Sequence, residues 1–173
     1  SSGRRVLDLF CYTGGFSVAA ARGGASSLTL VDSSADALAA AAANLAGAGA
    51  AMPLRSVEAD GFRFVRQDDG GYDLLVLDPP PLAKRKSDVP RASRAHKDLL
   101  LFALRRAAPG AFVLAFSCSH AIDATLFRQI AFGACLDAGR SPQVLGVLGP
   151  PSDHPVSIDH PEGSYLTGLL LRA

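Results

Sequence analysis

Short apolar runs alternate with helix-compatible stretches along the whole chain. Val6 to Phe10 is apolar apart from Asp8. A run of that length, bounded by turn residues, reads as a strand buried on both faces of a parallel sheet. Gly14-Gly15 then turns the backbone without a Cβ obstruction, so a ligand can approach the peptide groups. Phe16 to Arg22 suits a helix whose first N–H groups point back into that turn. Ser27 to Val31 predicts a second strand ended by Asp32, and Asp32-Ser33-Ser34 can cap an alanine-rich helix from Ala35 to about Ala46. Pro53 to Ala59 predicts a third strand ended by Asp60-Gly61, followed by a short helix from Phe62 to about Gln67.

Tyr72 to Leu77 is a clear fourth strand and runs into Asp78-Pro79-Pro80-Pro81. Lys97 to Ala107 predicts a helix stopped by Pro109-Gly110, and Ala111 to Phe116 a fifth strand ending at Ser117-Cys118-Ser119. Ile122 to Ala138 predicts a long helix, and Val144 to Leu148 and Tyr165 to Leu171 the last two strands. Strands alternating with helices imply an α/β fold with a parallel sheet covered on both faces. The final strand follows a proline- and histidine-containing loop with no helical crossover, so it should run antiparallel to its predecessor.

Composition narrows the class. The 173 residues suit one domain, 1–173, and 49% apolar with 19% charged residues suits a packed globular chain. No run of about 18 apolar residues suggests a membrane span, and the polar start lacks the apolar core of a signal peptide. Cys11, Cys118 and Cys135 form no Cys-x-x-Cys pair. That argues against a disulfide framework and against a metal site, and for a reducing cytoplasm. The net charge of +1 is silent about nucleic acid, but its distribution is not. Between Lys84 and Lys97 six basic residues face one acid, a local +5 that leaves −4 for the remainder. Such a run is either a solvated loop or a grip on a polyanion.

The acids carry the next inference. Asp8 falls near the end of the first strand, and Asp32, Asp60 and Asp78 end the second, third and fourth. Each alone could simply cap the following helix. In an open α/β sheet, however, all four share the carboxyl edge, where ligands bind and where an acid after the second strand accepts from ribose hydroxyls. A nucleoside-type ligand is therefore expected. The dinucleotide fingerprint Gly-x-Gly-x-x-Gly is absent, its first two glycine positions being held by Phe10 and Tyr12, and no phosphate-binding Gly-x-x-x-x-Gly-Lys loop occurs. Bulky residues there hinder a pyrophosphate, whereas S-adenosylmethionine, which has none, tolerates them better.

Five segments, taken in order, carry a family resemblance: Asp8 to Ser17, Val31-Asp32-Ser33, Asp78-Pro79-Pro80, Phe116-Ser117-Cys118-Ser119, and Asp153-His154-Pro155 to Pro161-Glu162-Gly163-Ser164-Tyr165-Leu166. Together they resemble the catalytic domain of the bacterial 23S rRNA cytosine-5 methyltransferase family, large-subunit methyltransferase I type. The resemblance implies a class I methyltransferase fold, a Rossmann-like seven-stranded sheet with the last strand antiparallel between the fifth and sixth. It also implies S-adenosyl-L-methionine as cofactor and ribosomal RNA as partner. Family members carry an N-terminal PUA-type RNA-binding domain and a linking domain. Only a few polar residues precede the first strand here, so a fragment or shortened homologue is expected, with a homodimer as one way to cover apolar surface left by the missing region.

The chemistry of that reaction selects residues. Carbon 5 of cytosine is a poor nucleophile until a thiolate adds across the neighbouring ring position, which calls for a cysteine. Cys118 is the candidate, at the carboxyl end of the fifth strand, where a following loop and helix start should favour its thiolate. Cys11 and Cys135 are expected to be buried and inert. Asp78 can hydrogen-bond the polar edge of an extruded base beside the rigid Pro79 and Pro80. The resemblance implies that Asp78 contacts cytosine and protonates its ring nitrogen. Amino methyltransferases follow this motif with an aromatic residue, whereas Pro81 stands here. The cofactor is expected across Asp8, Phe10, Tyr12, Thr13, Gly14, Gly15, Phe16, Ser17, Asp32, Ser33, Asp60, Gly61 and Asp78. For the RNA, Lys84, Arg85, Lys86, Arg91, Arg94 and Lys97 are expected to form a mobile lip on the phosphate backbone, with His154 and Glu162 closing over the base or accepting a proton. Two other readings stand beside this one: an amino methyltransferase on guanine or adenine with Cys118 idle, and a non-catalytic RNA-binding module.

Overall fold

The computed structural model describes residues 1–152, 155–160, 163 and 165–173. Among the described residues, seven strands and five α-helices follow one another as β1 (Arg5–Leu9), α1 (Gly15–Arg22), β2 (Ser27–Asp32), α2 (Ala35–Gly47), β3 (Leu54–Glu58), α3 (Gly61–Gln67), β4 (Tyr72–Leu77), α4 (Val89–Arg106), β5 (Ala107–Ser117), α5 (Ala124–Ala138), β6 (Gln143–Leu148) and β7 (Thr167–Arg172). They build one sheet in the order β3-β2-β1-β4-β5-β7-β6. The first five strands pair in parallel, and β7 runs antiparallel to both β5 and β6, inserted between them as expected.

Alternation along β1 assigns the two faces. Val6 packs with Leu28 and Leu30 of β2 and with Ala20, Leu38, Ala41 and Leu45 of α1 and α2. Leu7 and Leu9 pack on the other face with Leu75, Leu77 and Val113, under Phe64 and Val65 of α3, Leu99, Leu100, Ala103 and Leu104 of α4, and Phe127 and Ile130 of α5. Asp8 shares the parity of Val6 and so faces α1. Among the described residues no helix is long and apolar enough to cross a membrane, and no group of three or more His, Cys, Asp or Glu could hold a metal ion.

Several boundaries differ from the sequence pattern, each for a local reason. α4 begins at Val89, eight residues before Lys97. Pro90 is accommodated in its first turn, where a missing N–H costs nothing. The buried stripe Ala92, His96, Leu99 and Leu100 runs back beneath the basic residues that disguised the segment as a loop. The helix also passes directly into β5 at Ala107, so Pro109-Gly110 does not stop it. Those residues occupy a register shift instead: Tyr72 pairs with Ala107 and Leu74 with Phe112, leaving a bulge in which Gly110 takes φ +76°. α5 starts at Ala124, where Asp123 Oδ1 accepts from Leu126 N at 2.8 Å, while Ile122 is buried ahead of it.

Candidate active site

β1 sends its connection to β2 on one side and lies against β4 on the other, so the strand order reverses between β1 and β4. Crevices at such a switch point are where α/β sheets bind ligands. The turn after β1 is strained. Phe10 has φ +63° and Tyr12 φ +47°, the left-handed region that non-glycine residues avoid at a cost on the order of 1 kcal/mol each. These are the two positions at which a dinucleotide fingerprint would have glycine. Distant contacts hold them there. Phe10 N donates to Val31 O at 2.8 Å, and Tyr12 N donates to Asp32 Oδ2 at 2.9 Å. Asn44 Nδ2 donates to Thr13 O at 2.9 Å. The Phe10 ring lies so close over Gly61 that a Cβ there would fall 2.7 Å from it, and its other neighbour is Phe62 at 5.2 Å, edge-on. Gly14, at φ +80°, lies against Ala41 of α2, whose Cβ a side chain would meet at 2.9 Å.

The four acids reach the same edge but are used differently. Asp8 is buried and accepts from Ser17 Oγ at 2.5 Å, while its Oδ1 has no partner among the described residues. Burial pushes its carboxyl up to about 6; the Ser17 hydroxyl opposes the shift, and the charges of Asp78 and Asp32 add to it. Asp32, half-buried, accepts from Tyr12 N through one oxygen and from Ser34 N, at 3.0 Å, through the other. Ser33 is exposed beside it. Asp60 accepts from Arg63 N at 2.8 Å and caps α3. α2 is capped by Ser34 Oγ, which accepts from Ala37 N, and α5 by Asp123. α1, which starts at Gly15 after Gly14, has no side-chain cap.

At the ends of β4 and β5, Cys118 Sγ donates to Asp78 Oδ1 at 3.7 Å. Both are half-buried. Burial pushes the Cys118 thiol up to about 11, and the Asp78 carboxylate adds to the shift. The carboxyl of Asp78 is itself raised by burial, with the thiol's hydrogen bond opposing. The sequence expectation of a favoured thiolate is thus corrected: α5 begins only at Ala124, already capped, and the group facing the sulfur is an acid. The pair opens on a cleft of about 220 Å³ lined also by Pro150, Pro151, Gly163, Tyr165 and Leu166. Tyr165 leans on His120, ring centroids 5.6 Å apart. Sequence pattern had placed Tyr165 in a strand and Pro150-Pro151 in a connecting loop. Nothing local marks Pro150 and Pro151, whereas Tyr165 and Leu166 close the fifth segment of the family resemblance; the cleft itself exists only once β7 inserts beside β5. Cys11 is buried and its thiol pushed up to about 12 by that burial, with Asp8 and Asp32 adding; Cys135, expected to be buried, is only half-buried, its thiol raised by what burial it has.

The basic stretch is fastened to this edge. Pro79 is buried and Pro80 exposed; beyond them Ala83 is buried, and its N–H donates to Ser119 Oγ at 3.2 Å. The N–H groups of Lys84 and Arg85 donate to Asp88 Oδ2 at 3.2 and 3.0 Å. Lys84, Arg85, Lys86, Arg91 and Arg94 are exposed around the start of α4. Lys97 is not part of that group, since it pairs with Asp137 of α5 at 2.8 Å and lies over Gly133. His154 and Glu162 lie outside the described residues.

Comparison with known proteins agrees with this fold. Residues 1–131 match the family model of the S-adenosylmethionine-dependent methyltransferases. The chain is 42% identical to Ribosomal RNA large subunit methyltransferase I of Aeromonas hydrophila, covering 100% of this chain and 45% of that protein. It is 43% identical to the protein of the same name from Shewanella amazonensis, covering 98% and 44%. The chain therefore spans less than half the length of the curated relatives it matches. Among solved structures, SMU.776, described as a methyltransferase complexed with SAH, superposes with a TM-score of 0.84 at 26% identity over 99% of this chain and 46% of that one. Trm5b from Pyrococcus abyssi, covering 99% of this chain and 44% of its own, shares the fold at a TM-score of 0.72 and 15% identity.

Proposed function

The chain belongs to the S-adenosylmethionine-dependent methyltransferase family, and from that premise we propose that it methylates carbon 5 of a cytosine in large-subunit ribosomal RNA through a covalent adduct on Cys118. The observation that carries this reading is the Cys118–Asp78 pair, 3.7 Å apart in an open cleft at the carboxyl edge of the sheet. The name of the Aeromonas and Shewanella relatives supports the RNA as substrate class.

S-adenosylmethionine, when bound, supplies an electrophilic methyl group. The residues of the β1 turn fit it. α1, like α4, lacks a side-chain cap, and the N–H groups of its first turn face the glycine turn, where they can receive an anionic group such as a carboxylate. Gly15 has open space where a Cβ would stand, and the unpartnered Oδ1 of Asp8 lies behind the turn. Each oxygen of Asp32 takes one N–H and keeps a second lone pair for a ribose hydroxyl. Phe10 and Phe62 offer an apolar wall suited to a purine.

Cys118 rests as a thiol and must lose its proton to react. Asp78 Oδ1, already its hydrogen-bond acceptor, takes that proton as Sγ bonds to carbon 6 of the pyrimidine. Asp78 then delivers the proton to the ring nitrogen, which makes carbon 5 enamine-like and ready to accept a methyl group. Once carbon 5 has taken the methyl group, water or another base outside the pair removes the carbon-5 proton, the carbon 6–Sγ bond breaks, and the ring-nitrogen proton returns through Asp78 to the sulfur, restoring both ring and thiol. Holding the carboxylate and the thiol together in a half-buried site keeps the proton on sulfur, within reach of its acceptor, until the base arrives.

The exposed cations support an RNA backbone. Lys84, Arg85, Lys86, Arg91 and Arg94 crowd the N-terminal end of α4, where the helix dipole disfavours positive charge. An anionic partner such as phosphate reverses that cost. The reading is tested by Cys118→Ala. Transfer of labelled methyl to ribosomal RNA should fall on the order of 1000-fold, with S-adenosylhomocysteine affinity by calorimetry unchanged. The unmodified chain should be trapped as an adduct on RNA containing 5-fluorocytosine. Undiminished transfer by the alanine variant sinks the assignment.

A further inference from the structure

The residues two before and two after Cys118 are both rings, Phe116 and His120, and each carries an exposed ring from another element. Phe16, in the first turn of α1, lies on Phe116 with centroids 5.5 Å apart and planes inclined by 27°. Phe116 is only 7% exposed and is backed by Gly168, where a Cβ would fall 2.6 Å from it, whereas Phe16 is 39% exposed. Ser17, the next residue, is buried and bonded to Asp8, which fixes that turn of the helix. On the other flank Tyr165 is 42% exposed, rests on His120 and lines the cleft shared by Asp78 and Cys118. Phe16 is thus backed by a buried ring and Tyr165 is braced by His120, whose plane is inclined to it by 50°, while part of each exposed ring's surface remains in solvent. An aromatic face so held stacks on any unpaired base, and a base within a duplex, stacked on both sides, has no face to offer it.

We infer that Tyr165 and Phe16 are two stacking platforms flanking the nucleophile, Tyr165 for the base that Cys118 attacks and Phe16 for a neighbouring base, so that the acceptor is taken as unpaired strand. The inference rests on the reading of Cys118 given above and extends it to the form of RNA recognised. It also assigns Phe16 to RNA and not to the cofactor.

The test uses the full chain, a short unpaired oligoribonucleotide containing cytosine, the same strand annealed to its complement, and S-adenosylhomocysteine as cofactor probe. By fluorescence anisotropy the unmodified chain should prefer the unpaired strand. Tyr165→Leu and Phe16→Leu should each weaken that binding about 5- to 150-fold. Tyr165→Phe should retain it, and calorimetry should show S-adenosylhomocysteine bound equally by all. Unchanged RNA affinity in both leucine variants overturns the inference, as does equal binding of the duplex or no RNA binding by the unmodified chain. Loss of cofactor binding in Phe16→Leu with RNA affinity intact overturns the assignment of Phe16. Methylation at a nitrogen with both platforms effective supports the platforms and sinks the carbon-5 reading.

Discussion

Along the half of the carboxyl edge built by β1, β2 and β3, Asp32 and Asp60 serve the backbone. Asp32 accepts two N–H groups, one from the strained turn and one from the start of the next connection, and Asp60 caps α3. Along the half built by β4 and β5, Asp78 faces a thiol, beside prolines that have no N–H to give. The difference separates two uses of one residue type. A carboxylate that accepts backbone amides fixes geometry. One left with a thiol as its partner, and half-buried, is placed to exchange a proton. The first half holds phenylalanine and tyrosine in a conformation suited to glycine, and the second holds an acid and a cysteine in protonation states suited to each other.

The sharpest test of the contrast is Asp78→Asn. Methyl transfer should fall about 100- to 10,000-fold, the range of a lost general acid–base. The same variant removes the Asp78 charge, which adds to burial in raising the Cys118 thiol. The pH midpoint of Cys118 alkylation, followed by mass spectrometry, should therefore drop below its value of about 11 while staying above that of a free cysteine, because burial remains. A midpoint that does not move breaks the link between the two groups.

Asp8 belongs to neither use, and its effect on stability should come next in size. The folded carboxyl, at about 6, holds its proton over a range where the unfolded chain's, at 3.8, has released it. Unfolding free energy should therefore fall as pH rises from about 4 to 6, by up to ~3 kcal/mol. Asp8→Asn should flatten that dependence in urea titrations across the window. A wild-type profile rising through this window contradicts a buried, protonated Asp8.

A smaller effect is expected for Gly61→Ala, which places a Cβ 2.7 Å from the Phe10 ring. Displacing that ring should cost about 1–3 kcal/mol, read as a lower thermal midpoint. It should weaken S-adenosylhomocysteine binding while leaving the alkylation midpoint of Cys118 unchanged. Equal damage to both halves would show that they are not independent.

Local pattern determined much of this by itself. Runs such as Val6 to Leu9 and Tyr72 to Leu77, the alternation of strand and helix, the antiparallel last strand and the placing of Asp78 and Cys118 at one edge were all legible, because each depends on the period and punctuation of a few adjacent residues. Tertiary structure decided what contradicts or exceeds those local preferences. Phe10 and Tyr12 take left-handed backbone only because Val31, Asp32 and Gly61 meet them from 20 or more positions away. α4 reaches back to Val89 because its apolar stripe finds α5 and the sheet beneath a charged outer face. Cys118 is a thiol and not a thiolate because folding surrounds it and sets an acid against it. Short-range preference is written in the chain, whereas burial, strain and charge environment are properties of what the chain brings together.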